Sequence, residues 1–414
     1  MHPRTTSNRV ALTVVTAIFF MWGFITVLND VLIPHLKSVF TLNYAEVMLV
    51  QFTFFGAYFV MSLPSGKLLS RIGYRQSIIA GLALAGIGAL LFWPAAKLPS
   101  YPLFLFAFFV LASGITLLQV AANPYVSLLG SPQLASSRLN LAQAFNSLGT
   151  TLAPKFGGLV ILSVSVIGAS ELAKMPQLQQ LAYRAAQAQM VQLPYLGLAL
   201  TLFVLAVVVW WFHLPPLAVG HADDPQHRFA DALAKRHVRL GVAAIFLYVG
   251  AEVSIGSFMI NYLSLPGIGG MSEARAAGFV SLYWGGAMIG RFVGSAVLTR
   301  LDPRRVLAAA ASIAALLVLT TMLTHGHVAL ASVVAIGLFN SVMFPNIFTL
   351  GIDRLGSLTG KASSLLIMAI VGGAVIPLLQ GVLADRIGIQ SAFVLPLLCY
   401  LYIVFYGLNG SRST

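Results

Sequence analysis

Long apolar segments follow one another along almost the whole of this chain of 414 residues. The first, residues 10–34, contains a single charged side chain, that of Asp30. A helix needs about 20 apolar residues to cross the hydrocarbon core of a bilayer, and each of these segments is long enough. Only 8% of the residues are charged, against about 25% in soluble domains. The sequence therefore predicts an integral membrane protein.

The length and spacing of these segments predict an all-α membrane protein with twelve transmembrane helices. The predicted spans are residues 10–34, 45–69, 77–96, 102–129, 139–163, 193–213, 239–264, 274–298, 305–324, 328–352, 362–384 and 390–409. The longest polar stretch lies between the sixth and seventh spans. It predicts an N-terminal six-helix half (1–213), a cytoplasmic linker (214–238) and a C-terminal six-helix half (239–414).

Basic residues outside the spans fall mostly in the loops on the same side as the N-terminus. The positive-inside rule then places both termini in the cytoplasm. The net charge of +13 reflects this topology and not nucleic-acid binding, because the basic residues form no continuous face. Cys399 is the only cysteine, so neither a disulfide within the chain nor a thiolate metal site is expected.

A glycine followed by a basic cluster ends both the second span, at 66–75, and the eighth span, at 294–305. Together with twelve spans and a central linker, this repeat resembles the major facilitator fold. In that fold two pseudo-symmetric six-helix halves surround a central cavity. No P-loop, nucleophile motif or dinucleotide fingerprint is present in the sequence, which predicts neither an enzyme nor an ATP-driven pump.

Two carboxylates lie inside predicted spans, Asp30 in the first and Glu252 in the seventh. A charged side chain at the centre of a membrane helix costs about 3 kcal/mol on insertion scales, so such acids usually have a function. The two spans occupy matching places in the two halves, and both acids are expected to face one cavity. We interpret Asp30 and Glu252 as candidate cation-coupling residues, the alternative being structural hydrogen-bond partners.

Amide and aromatic side chains accumulate in the same spans. Amides donate and accept hydrogen bonds, and an aromatic face covers the apolar C–H side of a sugar ring, so the mixture favours a neutral, hydroxyl-rich solute. The alternative is that amides join helices and that aromatic residues lie at membrane interfaces. The candidate substrate-binding residues are Trp22, Phe24, Asn29, Gln51, Gln119, Asn123, Gln143, Asn146, Tyr248, Asn261, Trp284 and Asn340.

Charged residues at helix ends and in loops are candidate gating residues. They are Arg71, Arg75, Arg138, Arg291, Asp353 and Arg354. Arg291 lies within a stripe of glycines at 286, 290 and 294, a spacing that lets helices approach closely. We therefore expect Arg291 to form a structural or gating ion pair.

Several segments resemble a known family, the fucose–galactose–glucose proton symporters of the major facilitator superfamily. They include FFMWGFITVLNDVLIPHLK, QFTFFGAYFVMSLPSGKL, LLQVAANPYVSLLG, SSRLNLAQAFNSLGTTLAP and AIFLYVGAEVSIGSFMINYL. The similarity is greatest to the bacterial glucose/galactose transporter branch. Asp30 matches the first acid of the family, and Gln143 and Asn146 match family amides of the N-terminal half. Gln119 stands where the fucose branch has a Glu, and that branch has a Gln where Glu252 stands.

This resemblance implies a multi-pass carrier of the bacterial inner membrane that takes up a hexose by alternating access. The hexose would be of the glucose or galactose type, or N-acetylglucosamine, and the coupling cation H⁺. The expected partners are the sugar and the lipid bilayer, with no cofactor other than the transported H⁺ or Na⁺, no bound metal, no nucleic acid, and a monomeric state. The alternatives are an uncoupled facilitator or exchanger, a Na⁺-coupled symporter and a non-transporting sugar sensor.

Overall fold

The computed structural model of the chain describes the backbone of residues 8–40, 44–98, 100–160, 174–212, 214–215 and 227–412. Side chains are described for the same residues except 8–9, 28–39, 44–48, 154–160, 181, 184–185, 187–188 and 273–274. Within these ranges the regular structure is helical and no β-strand occurs, which confirms the predicted all-α class.

Sixteen α-helices lie in the described ranges. They are α1 (Asn8–Phe40), α2 (Tyr44–Lys97), α3 (Tyr101–Leu128), α4 (Ala135–Val160), α5 (Gln177–Gln189), α6 (Gln192–Trp211), α7 (Phe229–Ala234), α8 (Arg236–Leu263), α9 (Glu273–Val297), α10 (Pro303–Leu323), α11 (Gly326–Asn340), α12 (Met343–Gly351), α13 (Thr359–Met368), α14 (Gly372–Ile387), α15 (Ile389–Ala392) and α16 (Val394–Phe405). Short 3₁₀ turns lie at Pro132–Leu134, Gly356–Leu358 and Ala369–Val371, and a π turn at Tyr406–Gly410.

Nine helical segments in the described part of the chain are long and apolar enough to cross a membrane. One of them is α2, whose 54 residues extend about 81 Å, enough for two crossings of a hydrocarbon core about 30 Å thick. Gly73 interrupts α2 with a φ of 76°, between the predicted second and third spans, and this positive φ favours glycine. Polar residues such as Asn140 and Arg291 make α4 and α9 less apolar. With α2 as two spans and with α4 and α9 included, the described helices agree with the twelve predicted.

The chain divides into two compact units. Unit 1 comprises residues 1–122 and 148–216, and unit 2 comprises residues 123–147 and 217–414. In unit 1, α2 packs along α6, and Phe92 stacks on Tyr195 with ring centroids 4.0 Å apart. The guanidinium of Arg75 donates to the carbonyls of Val209, at 3.4 Å, and Trp210. It thereby satisfies backbone acceptors that a helix end leaves unpaired.

In unit 2, α8 packs against α9, α12, α14 and α16. A Cβ atom on Gly372 would overlap the carbonyl oxygen of Phe246, and one on Gly250 would overlap Ile376. The absence of these side chains lets α8 and α14 approach backbone to backbone. Residues on the inner faces of α8 are thereby surrounded by other helices and held in fixed positions.

Candidate functional site

The candidate site in unit 2 is centred on Glu252 of α8. Its side chain is 12% exposed, and its Oε1 lies 3.9 Å from Nη2 of Arg291 on α9, whose side chain is 13% exposed. Solvent screens a buried pair of charges much less than an exposed one. Oε1 accepts no hydrogen bond from any described residue. The carboxylate is therefore held by the attraction of Arg291 and by a side-chain hydrogen bond with Tyr248, while Oε1 can take up a proton.

Arg291 makes two further contacts that hold its guanidinium. Nε donates to the backbone carbonyl of Ser341 at 3.3 Å, and Nη1 donates to the hydroxyl of Ser147 on α4. The Ser341 carbonyl is available because Pro345, four residues later, has no N–H to donate to it. The proline break between α11 and α12 thus supplies a hydrogen-bond acceptor for the arginine.

Three tyrosines converge on Asn340, the last residue of α11, which is fully buried. Its Oδ1 accepts from the hydroxyl of Tyr400 at 2.7 Å, and its Nδ2 donates to the hydroxyl of Tyr283 at 2.7 Å. Its backbone carbonyl accepts from Tyr248 at 3.0 Å. Tyr283 in turn donates to the backbone carbonyl of Glu252 at 3.2 Å. The structure therefore joins α8, α9, α11 and α16 around Glu252. We call Glu252, Arg291, Ser341, Asn340 and these three tyrosines the Glu252 group.

The predicted amides Asn123 on α3 and Gln143 and Asn146 on α4 lie in unit 2. Gln143 Nε2 lies 3.5 Å from Asn123 Oδ1, the limit of a hydrogen bond, and Asn146 is nearly buried. Asn140 donates to the carbonyl of Ser136 at 2.9 Å and to Oδ1 of Asn346 at 3.3 Å. Asn123 Nδ2 is buried and has no hydrogen-bond partner among the described residues. The structure thus brings Asn123 and Gln143 together, as their proposed shared role requires.

The predicted residues of unit 1 make separate contacts. Gln119 Nε2 donates to the hydroxyl of Tyr58 at 2.6 Å, and both side chains are buried. Trp22 is buried against Phe19, with ring centroids 4.0 Å apart. Phe24 lies 6.2 Å from the ring of Phe20. Gln119 therefore has a protein partner for its donor group.

The other predicted sugar ligands differ in their environments. Gln51 is half-buried, whereas Asn261, near the end of α8, is exposed. Trp284 is 40% exposed and lies edge-on to Tyr283, with ring centroids 5.1 Å apart. The side chains of Asn29 and Asp30 lie outside the described residues. The structure does not bring Asn261 into the Glu252 group.

Arg138, a predicted gating residue, binds backbone carbonyls at the end of α3. Its Nε donates to Val126 at 3.1 Å, Nη1 to Ser131 at 2.8 Å and Nη2 to Ser127 at 2.6 Å. A cation at the carbonyl end of a helix is stabilised by the helix dipole. These bonds fix the turn that connects α3 and α4.

The other predicted gating residues, apart from Arg291, have exposed or backbone partners. Arg71 is exposed, and Arg75 binds the end of α6 as described above. Asp353 and Arg354 are neighbours whose charged groups lie 3.8 Å apart at the surface. Surface pairs of this kind contribute about 0–1 kcal/mol to stability. Arg291 is the predicted gating residue that pairs with the buried acid.

Sequence reasoning missed three residues of the Glu252 group as site residues: Tyr283, Tyr400 and Ser341. A buried tyrosine in an apolar helix needs a partner for its hydroxyl, which is a usable signal for Tyr283 and Tyr400. Pro345 is the signal for Ser341, because the carbonyl four residues before a proline loses its helical donor. Among the described residues, no three His, Cys, Asp or Glu side chains come together as metal ligands would.

Comparison with known proteins gives consistent matches over nearly the full chain. The profile of the Major Facilitator Superfamily matches residues 11–376. The glucose/galactose transporter of Brucella abortus is 52% identical over 416 residues, covering 100% of this chain and 98% of the relative. The L-fucose-proton symporter of Escherichia coli is 37% identical, covering 96% and 92%. The crystal structure of the transporter FucP in the outward conformation has a TM-score of 0.92 at 35% identity, covering 99% and 100%.

Proposed function

The chain belongs to the Major Facilitator Superfamily, and from this membership and the Glu252 group we propose that it takes up a hexose together with a coupling cation, H⁺. Its relatives are a glucose/galactose transporter and an L-fucose-proton symporter, so a hexose is the substrate class that this similarity supports. The protein is a multi-pass membrane transporter and not an enzyme. Alternating access between two six-helix halves is the movement that the fold supports.

The observation that carries the proposal is the buried pair of Glu252 and Arg291. An intramembrane acid is costly unless it is paired or protonated. Glu252 can therefore exist either ionised and paired with Arg291 or protonated and neutral. When Glu252 is ionised, Arg291 at 3.9 Å balances its charge. When Glu252 binds a proton, that attraction is lost and Arg291 keeps its bonds to Ser341 and Ser147. Protonation thus changes one contact of a guanidinium that also binds α4, which links the coupling ion to helix position.

The same pair supports H⁺ over Na⁺ at Glu252. A sodium ion bound to the carboxylate would be a second cation beside the guanidinium, and like charges at such distances repel strongly in a buried site. A proton neutralises the carboxylate without placing a new ion there. Asp30 remains the second candidate coupling acid, on the basis of its match to the family.

The predicted amides and aromatics are proposed to hold the sugar, apart from Asn340, whose side chain bonds Tyr283 and Tyr400. Asn123 and Gln143 are the pair that the contacts favour most, because the unpaired Nδ2 of Asn123 needs an acceptor and a sugar hydroxyl supplies one. Gln119 remains a candidate sugar ligand by its place in the sequence. This proposal includes two six-helix halves, residues 1–213 and 239–414, joined by a linker at 214–238. It also includes cytoplasmic termini, a location in the bacterial inner membrane and a monomeric state, and it requires no cofactor.

The test is sugar uptake by proteoliposomes that contain the purified protein, with an imposed pH gradient or an imposed sodium gradient. We expect the wild type to accumulate glucose or galactose with the pH gradient. Glu252→Gln should abolish accumulation but still exchange internal for external sugar, and Asp30→Asn is assayed beside it. Asp385→Asn, which changes an exposed acid at the end of α14, is the matched control.

Three results would overturn parts of the proposal. Equilibration of sugar at full rate without any gradient-driven accumulation would identify an uncoupled facilitator. Accumulation driven by sodium alone would exclude H⁺ as the coupling ion. If both Glu252→Gln and Asp30→Asn concentrate sugar as the wild type does, neither acid carries the cation.

A further inference from the structure

Asn340 was predicted to bind sugar, but its hydrogen-bonding groups are occupied by protein. Its side chain is fully buried, Oδ1 accepts from Tyr400, and Nδ2 donates to Tyr283. The orientation of the amide follows from the protons available. Tyr283 has one hydroxyl proton and gives it to the carbonyl of Glu252, so it must accept from Asn340, which requires Nδ2 on that side.

Asn340 also fixes the helical turn that carries the acid. Tyr248 lies four residues before Glu252 on α8, so the two side chains share one face. The Tyr248 hydroxyl donates to the Asn340 carbonyl at 3.0 Å, and the Glu252 carbonyl accepts from Tyr283 at 3.2 Å. Both ends of this turn are therefore tied, directly or through one tyrosine, to Asn340.

The next residue holds the other member of the ion pair. Ser341 accepts the hydrogen bond from Arg291 Nε at 3.3 Å. A Cβ atom on Gly337 would overlap the carbonyl of Tyr283, and one on Gly290 would overlap the carbonyl of Leu338, so α9 and α11 are in close backbone contact here. Asn340 and Ser341 form a corner at the end of α11. Asn340 bonds the tyrosines next to Glu252, and Ser341 bonds Arg291 directly.

We propose that Asn340 is a positioning residue for the coupling acid, and that the Asn340–Ser341 corner sets the spacing between Glu252 and Arg291 and so the pH at which sugar uptake is driven. This inference rests on the proposed function, because it assigns a role to residues around the proposed proton acceptor. Tyr283 and Tyr400 act through the same corner. If the corner loosens, Glu252 moves away from its counter-charge and takes up a proton more readily.

The experiment compares Tyr283→Phe, Tyr400→Phe and Asn340→Leu with the wild type in proteoliposomes. Two quantities are measured for each variant: the KM of sugar exchange without an ion gradient, and the external pH that gives half-maximal gradient-driven uptake. Tyr262→Phe is the matched control, because Tyr262 is also buried on α8 and donates to a backbone carbonyl, that of Thr321, at 2.7 Å. Thermal unfolding in detergent shows which variants are folded.

We expect Tyr283→Phe and Asn340→Leu to move the pH of half-maximal uptake upward by about one unit, the size of a typical environmental shift for a carboxyl group. Tyr400→Phe, which removes one bond to Asn340, should move it less. The exchange KM should change by less than about twofold, since no sugar contact is removed. The control should leave both quantities unchanged, and if Asn340→Leu does not fold, the two tyrosine variants still decide the outcome.

An exchange KM raised about tenfold in Asn340→Leu with an unchanged pH profile would show a lost sugar contact and reject the positioning role. A wild-type pH profile in Tyr283→Phe would reject it as well. Failure of the proposed function looks different: the wild type itself would then show no proton-driven accumulation.

Discussion

Arg291 donates from Nε to the backbone carbonyl of Ser341 at 3.3 Å, and this contact does not depend on the charge of Glu252. The carbonyl is free because Pro345 has no N–H to offer it. Arg291 is therefore held in place whether or not the acid is protonated. Glu252 differs, because its Oε1 has no hydrogen-bond donor among the described residues and its charge is balanced by Arg291.

This asymmetry predicts different outcomes for the two members of the pair. Arg291→Met should lower the free energy of unfolding by about 3 kcal/mol at neutral pH, because it leaves an uncompensated buried charge. Glu252→Gln should lower it less, since Arg291 keeps its bonds to Ser341 and Ser147 and the new amide oxygen can still accept from the guanidinium. The double variant should recover most of the loss. Thermal unfolding in detergent measures all three, and equal losses in Arg291→Met and in the double variant would contradict the charge explanation.

Pro345→Ala tests the origin of the Ser341 acceptor. The new N–H of residue 345 can bond to the Ser341 carbonyl and compete with Arg291, so we expect proton-driven uptake to fall several-fold while the protein remains folded. Pro377→Ala is the control, because Pro377 also lies inside a helix, α14, without a role in the site. The measurement is the rate of proton-driven sugar uptake in proteoliposomes for each variant. An equal loss in Pro345→Ala and Pro377→Ala would indicate a general consequence of straightening a helix.

The all-α class was predictable, and Glu252 could be selected as a candidate, because both depend on composition along the chain. Apolar length predicts a span wherever it occurs, and a lone acid within it is costly in any packing. Arg291 was predicted to form an ion pair for the same reason, although its partner was not identified. The stripe of glycines beside it was correctly assigned to packing, since Gly290 has no room for a side chain.

The hydrogen-bond partners of Asn340 were not predictable in this way. Its partners Tyr283 and Tyr400 lie 57 and 60 residues away in the chain, and no periodicity within one helix reveals which side chains of other helices will meet it. A buried amide without protein partners and one whose oxygen and nitrogen both bond to tyrosines have the same appearance in a sequence. The assignment of sugar ligands therefore depends on hydrogen-bond partners that only the packed helices provide.

Gly290→Ala tests the close contact between α9 and α11 that supports the corner. A Cβ atom at this position would overlap backbone and the Ser341 side chain, and overpacking of this kind costs about 1–3 kcal/mol. Gly285 lies on the same helix with open space around it. Gly285→Ala should therefore be neutral or stabilise by up to about 1 kcal/mol through helix propensity. Melting temperatures compare the pair, and a similar loss in both would show that glycine flexibility, and not space, matters here.

Lys361, in the first turn of α13, provides an independent test of buried charge in unit 2. Its side chain is 3% exposed, and its ammonium has no hydrogen-bond partner among the described residues. The ring of Phe229 on α7 lies 5.9 Å from Nζ, which offers a cation–π contact worth about 0.5–2 kcal/mol. This gain is smaller than the effective cost of burying one ion, several kcal/mol.

Lys361→Met keeps a similar volume and removes the charge, so we expect it to raise the free energy of unfolding by about 1–4 kcal/mol, the gain found when a buried ion pair is replaced by apolar side chains. Lys235→Met, at an exposed position just before α8, should change it by no more than about 0.5 kcal/mol. Phe229→Ala should destabilise the wild type but have less effect in the Lys361→Met background, because the cation is then gone. A lower melting temperature for Lys361→Met would mean that the ammonium stabilises the fold through a partner outside the described residues, and the expected gain would then be wrong.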